Sequence, residues 1–198
     1  MTQPTLLYTS TFGYKLAPAK HGDIGMDLPC IVNAQVIDGS RRFEICGIRE
    51  LDKLIRSGLV DLSSNPAKAI IPPKSWATLP TGICVKIPDG AWMLIANRSS
   101  AAFNYGLIII NGIIDEGYTG ELMSRIHNPN DLPFIVRDGD RLSQAIIIPK
   151  FQGLATMLTN TLPETERGST GFGSSGGTHG PICSNIHEGE RGQKENKL

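Results

Sequence analysis

No apolar run in this chain goes far before a breaker stops it. Ile70-Ile71 meets Pro72-Pro73, and the stretch from Ala77 to Ile87 meets Pro88-Asp89-Gly90. Phe134-Ile135-Val136 gives way to Arg137-Asp138-Gly139-Asp140, and Leu142 to Ile148 ends at Pro149. Many short β-branched runs between Gly, Pro, Asn and Asp turns indicate an all-β sandwich, jelly roll or barrel. Thr5 to Thr9 reads as a first strand, and Met26-Asp27-Leu28 opens another after the turn Gly22-Asp23-Ile24-Gly25. Asp27, between two apolar residues, then points to the opposite face and reads as a solvent-facing strand residue.

One block breaks the β pattern. From Ile48 to Leu59 the apolar residues fall three and four apart, with Gly58 near the end, which predicts an amphipathic helix. Residues 39–66 therefore read as an insertion on a β scaffold, packed on its own domain or on a partner surface. From Leu162 the composition turns to Gly and Ser, and residues 178–198 are polar and charged. The expected organisation is a β domain over 1–160 and a flexible arm and polar tail over 161–198.

The 198 residues allow one main domain with an insertion or tail, and 40% hydrophobic residues suffice for a core. Nineteen basic residues balance 19 acidic ones, which argues against a general nucleic-acid binder and makes any phosphate binding local. Cys30, Cys46, Cys84 and Cys183 show no CxxC spacing. The first three lie in or beside apolar stretches and read as small core residues, which points to free thiols in a reducing cytosol and away from zinc. No segment has the pattern of a leader or a membrane span, so no membrane partner is expected.

Chemistry concentrates between Ala96 and Glu121. Arg98, Ser99 and Ser100 stand at one end, and Asp115, Glu116 and Tyr118 at the other. Between them, Gly106 to Ile110 stops at Asn111-Gly112 and resumes with Ile113-Ile114, the pattern of a β-hairpin. Arg and Ser donors suit a phosphate, and a nearby Asp suits a general base or a metal partner. These residues fit an enzyme acting on a phosphorylated small molecule, or two ordinary polar loops.

Five ordered segments decide between these readings. They are Gly22 to Leu28; Arg98-Ser99-Ser100 with Gly106; Gly112 to Glu121; Gly139 to Gln144; and Arg167 to Gly176. Together they resemble the five motifs of the trimeric deoxyuridine triphosphatase (dUTPase) family, over residues 19 to 177. The resemblance implies an eight-stranded jelly-roll protomer, a distorted β-barrel, in a homotrimer with shared active sites. It implies Mg²⁺-dependent hydrolysis of dUTP to dUMP and pyrophosphate. Asp115 would activate the water that attacks the α-phosphorus, and Tyr118 would pack on the deoxyribose. The backbone from Ile110 through Asn111 and Gly112 to Ile113 would meet the uracil edge. Arg98, Ser99, Ser100 and Gln144 would hold the α- and β-phosphates. Arg167, Ser169 and Ser174 would hold the γ-phosphate, with Phe172 stacked on uracil and Gly173 beside it. Asp27 would support Mg²⁺ through water. Glu116 would be a solvated neighbour, and Arg141 would brace the fold.

The chain departs from the family pattern at four places. Asn97 stands where proline is usual, Ser100 where glycine is, and Gly117 where an acidic or polar residue is; the helical block is extra. Arg98-Ser99-Ser100 and Asp115-x-Gly117-aromatic also resemble the dCTP deaminases of the same fold, including bifunctional ones. Those carry a catalytic glutamate five residues past the glycine of motif three, and here that position is Arg125. A permanently protonated arginine cannot shuttle the proton. A third alternative is a dUTPase-fold regulator that binds a protein partner through residues 39–66.

Overall fold

The structure is a computed structural model that describes residues 4–32, 43–110, 112–151, 153, 156–159, 161 and 163–165. The chain divides into two units, Met1–Leu154 and Ala155–Leu198. In the second, Thr159 Oγ1 donates to the Thr161 carbonyl at 2.8 Å, and the described residues form no strand or helix.

The first unit is built of twelve strands and two short helices among its described residues. The strands are β1 Leu7–Ser10, β2 Gly25–Pro29, β3 Glu44–Ile45, β4 Val60–Asp61, β5 Lys68–Ile71 and β6 Ser75–Lys86. They continue with β7 Ala91–Asn97, β8 Ile108–Ile109, β9 Gly112–Ile114, β10 Glu121–Asn128, β11 Phe134–Arg137 and β12 Arg141–Pro149. The helices are α1 Leu51–Arg56 and α2 Ser99–Tyr105. Three antiparallel sheets result: β1-β6-β10-β8 with β3 also on β6, β11-β5-β4, and β2-β12-β7-β9. This is the expected all-β jelly-roll class.

Period-2 alternation puts Leu79, Ile83, Leu122 and Ile126 of one sheet and Leu28, Met93, Ile95 and Ala145 of another into one core. A hydroxyl pair, Ser124 Oγ and Ser143 Oγ at 2.5 Å, joins β10 to β12 inside it. Each hydroxyl satisfies the other, so two polar groups are buried without an orphan.

The block at 39–66 is less of an interruption than its periodicity suggests. It does contain a helix, the six residues of α1, with Leu54 fully buried. Its C-terminus closes as a Schellman motif: Gly58 N–H donates to Ile55 O at 2.9 Å and Leu59 N–H to Leu54 O at 2.9 Å, with Gly58 at φ +72°. On either side, however, β3 pairs with β6 and β4 with β5. Strands of two residues are too short to show alternation. Phe43, Leu54 and Val60 all enter the core, so the block packs on its own domain.

Two further expectations change. Residues 108–114 do not form a hairpin. β8 pairs with β10 through Ile126↔Ile109, whereas β9 pairs with β7 through Ile95↔Gly112. The chain crosses here between two sheets, because Leu107 and Ile109 are claimed by one side of the core and β9 is claimed by β7. The segment after Arg98 is a helix, not a loop. Ser99 to Tyr105 contains no breaker, and α2 stops at Gly106, whose φ of +63° is left-handed. Of the cysteines, Cys30 is buried and Cys84 half-buried, but Cys46 is exposed in a turn at φ +52° and is not a core residue. Burial pushes the Cys30 thiol up to about 12, so it stays protonated. Cys183 lies outside the described residues. No described helix is long and apolar enough to cross a membrane.

Candidate active site

Strand β12 is the organiser. It lies between β2 and β7, and the register sets Gln144 opposite Asp27 on one side and Ala96 on the other. Arg98 follows β7 by one residue as the N-cap of α2, so three separated segments meet at one level of the sheet. Asp27, Arg98, Ser99 and Gln144 line a cleft of about 310 Å³. Arg98 and Ser100 also face a neighbouring cleft of about 430 Å³ with Arg137, Arg141 and the Tyr105–Phe134 ring pair.

Within the cleft the charges are already paired. Arg98 Nε lies 2.5 Å from Asp27 Oδ1, and Arg98 Nη1 donates to the Arg141 carbonyl at 2.6 Å. Arg141 Nη1 lies 3.2 Å from Asp27 Oδ2, an ion pair whose alignment leaves Oδ2 buried without a hydrogen bond. Asp27 is therefore not solvent-facing: its side chain is 15% exposed and is held by two guanidiniums. Arg141, expected to brace the fold, pairs with Asp27 and lines the neighbouring cleft. Gln144 Nε2 donates to the Asn97 carbonyl at 2.7 Å. Gly25 gives Gln144 its room, since a Cβ there would stand 1.9 Å from Gln144 Oε1.

Asp115 and Tyr118 occupy a separate place. Tyr118 N–H donates to the Asp115 carbonyl at 3.0 Å, closing a turn after β9, and Tyr118 Oη donates to the Glu121 carbonyl at 2.9 Å. The ring lies over Gly120, where a Cβ would come within 2.6 Å of Cζ. Asp115 is exposed. Glu116 is not merely solvated: it pairs with Lys150, and that hydrogen bond is the main cause holding its carboxyl below the usual range. Gly112 and Ile113 sit at the start of β9, with Ile113 70% exposed. Asn111, Arg167, Ser169, Phe172, Gly173 and Ser174 lie outside the described residues.

Along β7 these two groups stand apart. Ile114 pairs with Met93, and Arg98 is five residues further along β7. At roughly 3.3 Å per residue this separates Arg98 from Ile114, the residue before Asp115, by about 16 Å along the strand. Neither of the two clefts described above is lined by Asp115 or Tyr118.

Asn97 belongs to the constellation, although its sequence signal is only the departure from proline. Its carboxamide and its carbonyl are both engaged. At the deaminase glutamate position, the Arg125 guanidinium lies 3.8 Å from the Trp76 ring centre, a cation–π contact.

Residues 57–176 match the dUTPase family model. The chain belongs to the dUTPase family. Among dUTPases it resembles the deoxyuridine 5'-triphosphate nucleotidohydrolase of Desulfitobacterium hafniense, with 38% identity over 59% of this chain and 80% of the relative. Its fold matches the dUTPase of Staphylococcus bacteriophage 80alpha solved with dUpNHpp, at TM-score 0.62 and 21% identity over 87% of this chain and 98% of the other. A mutant dUTPase of S. aureus phage phi11, described for its coordination of a structural Mg(II) ion, matches at TM-score 0.54 and 20% identity over 78% and 96%.

Proposed function

We propose that this dUTPase hydrolyses dUTP to dUMP and pyrophosphate at sites shared between the protomers of a homotrimer. The observation that carries this reading is the convergence of Asp27, Arg98, Ser99 and Gln144 on one cleft, from three separated segments. An arginine fork, a hydroxyl and a carboxamide offer several donors to phosphate oxygens. The relatives' shared activity supports the same substrate.

In this reading Asp115 of one protomer meets the phosphate cleft of a neighbour. Its carboxylate holds a water in line with the α-phosphorus and takes its proton. The new P–O bond forms as the bond to the bridging oxygen breaks, and pyrophosphate leaves. Arg98, Ser99, Ser100 and Gln144 neutralise and orient the α- and β-phosphates, which supplies most of the rate. Tyr118 covers the deoxyribose face, and the backbone from Ile110 to Ile113 meets the uracil edge. Arg167, Ser169 and Ser174 hold the γ-phosphate, and Phe172, with Gly173, stacks on uracil, the roles that the family resemblance implies.

Among the described residues no group of three His, Cys, Asp or Glu side chains forms a metal cage. Asp27 is occupied by two arginines, so direct ligation does not fit it. Its buried Oδ2 without a hydrogen bond does fit a coordinated water. Mg²⁺ bound through the triphosphate and its own waters, with Asp27 as outer support, would add charge neutralisation. The burial of Phe43, Leu54 and Val60 favours a structural role for the 39–66 block over a partner-docking one.

The test is incubation with Mg²⁺ and, separately, dUTP, dCTP, dTTP and UTP, following pyrophosphate and ammonia. Pyrophosphate from dUTP alone is expected, and Asp115→Asn should abolish it in a folded protein. Ammonia from dCTP would move the chain to the deaminases, and no product at all would leave a binding module.

A further inference from the structure

Asn97 ends β7, and its side chain leaves its own sheet. Nδ2 donates to the Leu107 carbonyl at 3.0 Å, and Oδ1 accepts the Ile109 N–H at 2.5 Å. These groups belong to β8 and the residue before it. On its other edge β8 pairs with β10, where the Ile110 N–H reaches the Arg125 carbonyl at 2.9 Å. The Asn97 carboxamide thus stands where a second neighbouring strand would be. It offers one donor and one acceptor, as a strand does, and the two bonds fix both position and rotation.

The location is what gives this clamp a consequence. Beyond Ile109 the chain crosses from the β10 sheet to the β7 sheet, and it arrives at Gly112 opposite Ile95. Only two residues separate the end of β8 from the start of β9, so small shifts of β8 carry over to β9. Asn97 is two residues from Ile95 on the same strand, and thus holds the departure point against the strand that receives the arrival. Its carbonyl also accepts from Gln144. Proline at this position has no side-chain donor or acceptor and could make neither contact with β8.

We propose that Asn97 is a positioning residue that sets β8 against β9 and thereby sharpens the choice of pyrimidine base. The assignment rests on the reading that this backbone meets the uracil edge. The side chain's two bonds go to Leu107 and Ile109, so substitution there acts on the crossing, while the backbone carbonyl that accepts from Gln144 is retained. A backbone pocket rejects a wrong base by misplaced donors and by bulk, and both depend on where the backbone sits.

The experiment measures kcat and KM for dUTP and dCTP with wild type, Asn97→Ala and Asn97→Asp, alongside Tm and oligomer size. The alanine variant loses both bonds to β8; the aspartate variant keeps an acceptor for Ile109 and loses the donor to Leu107. Asn97→Ala should lower the dUTP:dCTP ratio of kcat/KM by about tenfold, mainly through KM for dUTP, with Asn97→Asp between it and wild type. A loss of Tm with an unchanged ratio in both variants would overturn the proposal, since that is how a purely structural clamp behaves. If the alanine variant does not fold, the aspartate variant carries the comparison. If neither folds, Asn97 is a folding residue and the proposal fails. Wild type that releases no pyrophosphate from dUTP removes the functional reading itself, whereas wild-type activity with an unmoved ratio overturns the Asn97 assignment alone.

Discussion

Asp61 shows what one carboxylate does when its neighbours are all donors. Ser63 Oγ reaches Oδ1 at 2.6 Å, and the N–H groups of Ser63 and Ser64 reach it at 3.0 and 3.1 Å. The Ser63 hydroxyl is the main cause that lowers the carboxyl from 3.8 to about 2, with the Ser64 and Ser63 N–H groups and Lys68 adding to it. A carboxylate with a depressed folded value stabilises above its unfolded value and loses that contribution as pH falls through the folded one. Wild type should therefore have a higher Tm than Asp61→Asn near neutral pH, and the gap should close between about pH 4 and pH 2. A gap that stays constant over that range in paired thermal melts would show that the loop does not use the charge. At this scale three of the residues expected to hold phosphate, Arg98, Ser99 and Gln144, do share a cleft. What residue type could not show was the pairing of Asp27 with two arginines, or of Glu116 with Lys150, since each joins segments far apart in the chain.

Strands were legible wherever alternation ran four residues or more, as in β5, β7, β10 and β12. Partners were not. Asn111-Gly112 has hairpin chemistry, yet β8 and β9 belong to different sheets, because burial of Ile109 against one sheet outweighs local turn preference. The register of β12 has a consequence at Gly25, which pairs with Ile146 and leaves its open face to Gln144. In Gly25→Ala the new methyl meets the far end of a flexible side chain, so Gln144 swings aside and the backbone stays. We expect Tm near that of wild type and kcat/KM for dUTP down by roughly tenfold, the loss of about one hydrogen bond to a charged group. The opposite pattern, a large fall in Tm with normal kinetics, would mean that the strand moves and Gln144 does not. For the 39–66 block the decisive residue is Leu54, which is fully buried in the common core. Leu54→Ala should cost about 2–5 kcal/mol in denaturant unfolding, as core truncations do. A cost under about 1 kcal/mol would identify the block as an appendage whose removal the fold tolerates.

For the whole molecule, the spacing along β7 sets the strongest requirement. Met93 faces Ile114 near one end and Arg98 follows the other, so a single chain presents the proposed general base and the proposed phosphate residues at different places. On the proposed mechanism, hydrolysis then needs Asp115 from one copy and Arg98 from another, and a closed ring of copies would supply each site with one of each. This is testable with two variants that are inactive for different reasons. Asp115→Asn keeps the phosphate cleft, and Arg98→Ala keeps the base. Each alone has only damaged sites. Coexpressed in equal amounts, they assemble at random, and a site is intact when its cleft comes from the first variant and its base from the second. Each condition holds with probability one half, so about a quarter of the sites should be whole, and pyrophosphate release from dUTP should recover to about a quarter of wild type. A mixture as inactive as its components, in assemblies shown by mass to contain both variants, would mean that each chain completes its own site. In that case the strand would have to bend far enough to bring Asp115 to Arg98 within one protomer, against the continuous β7–β9 and β7–β12 pairing that holds it straight.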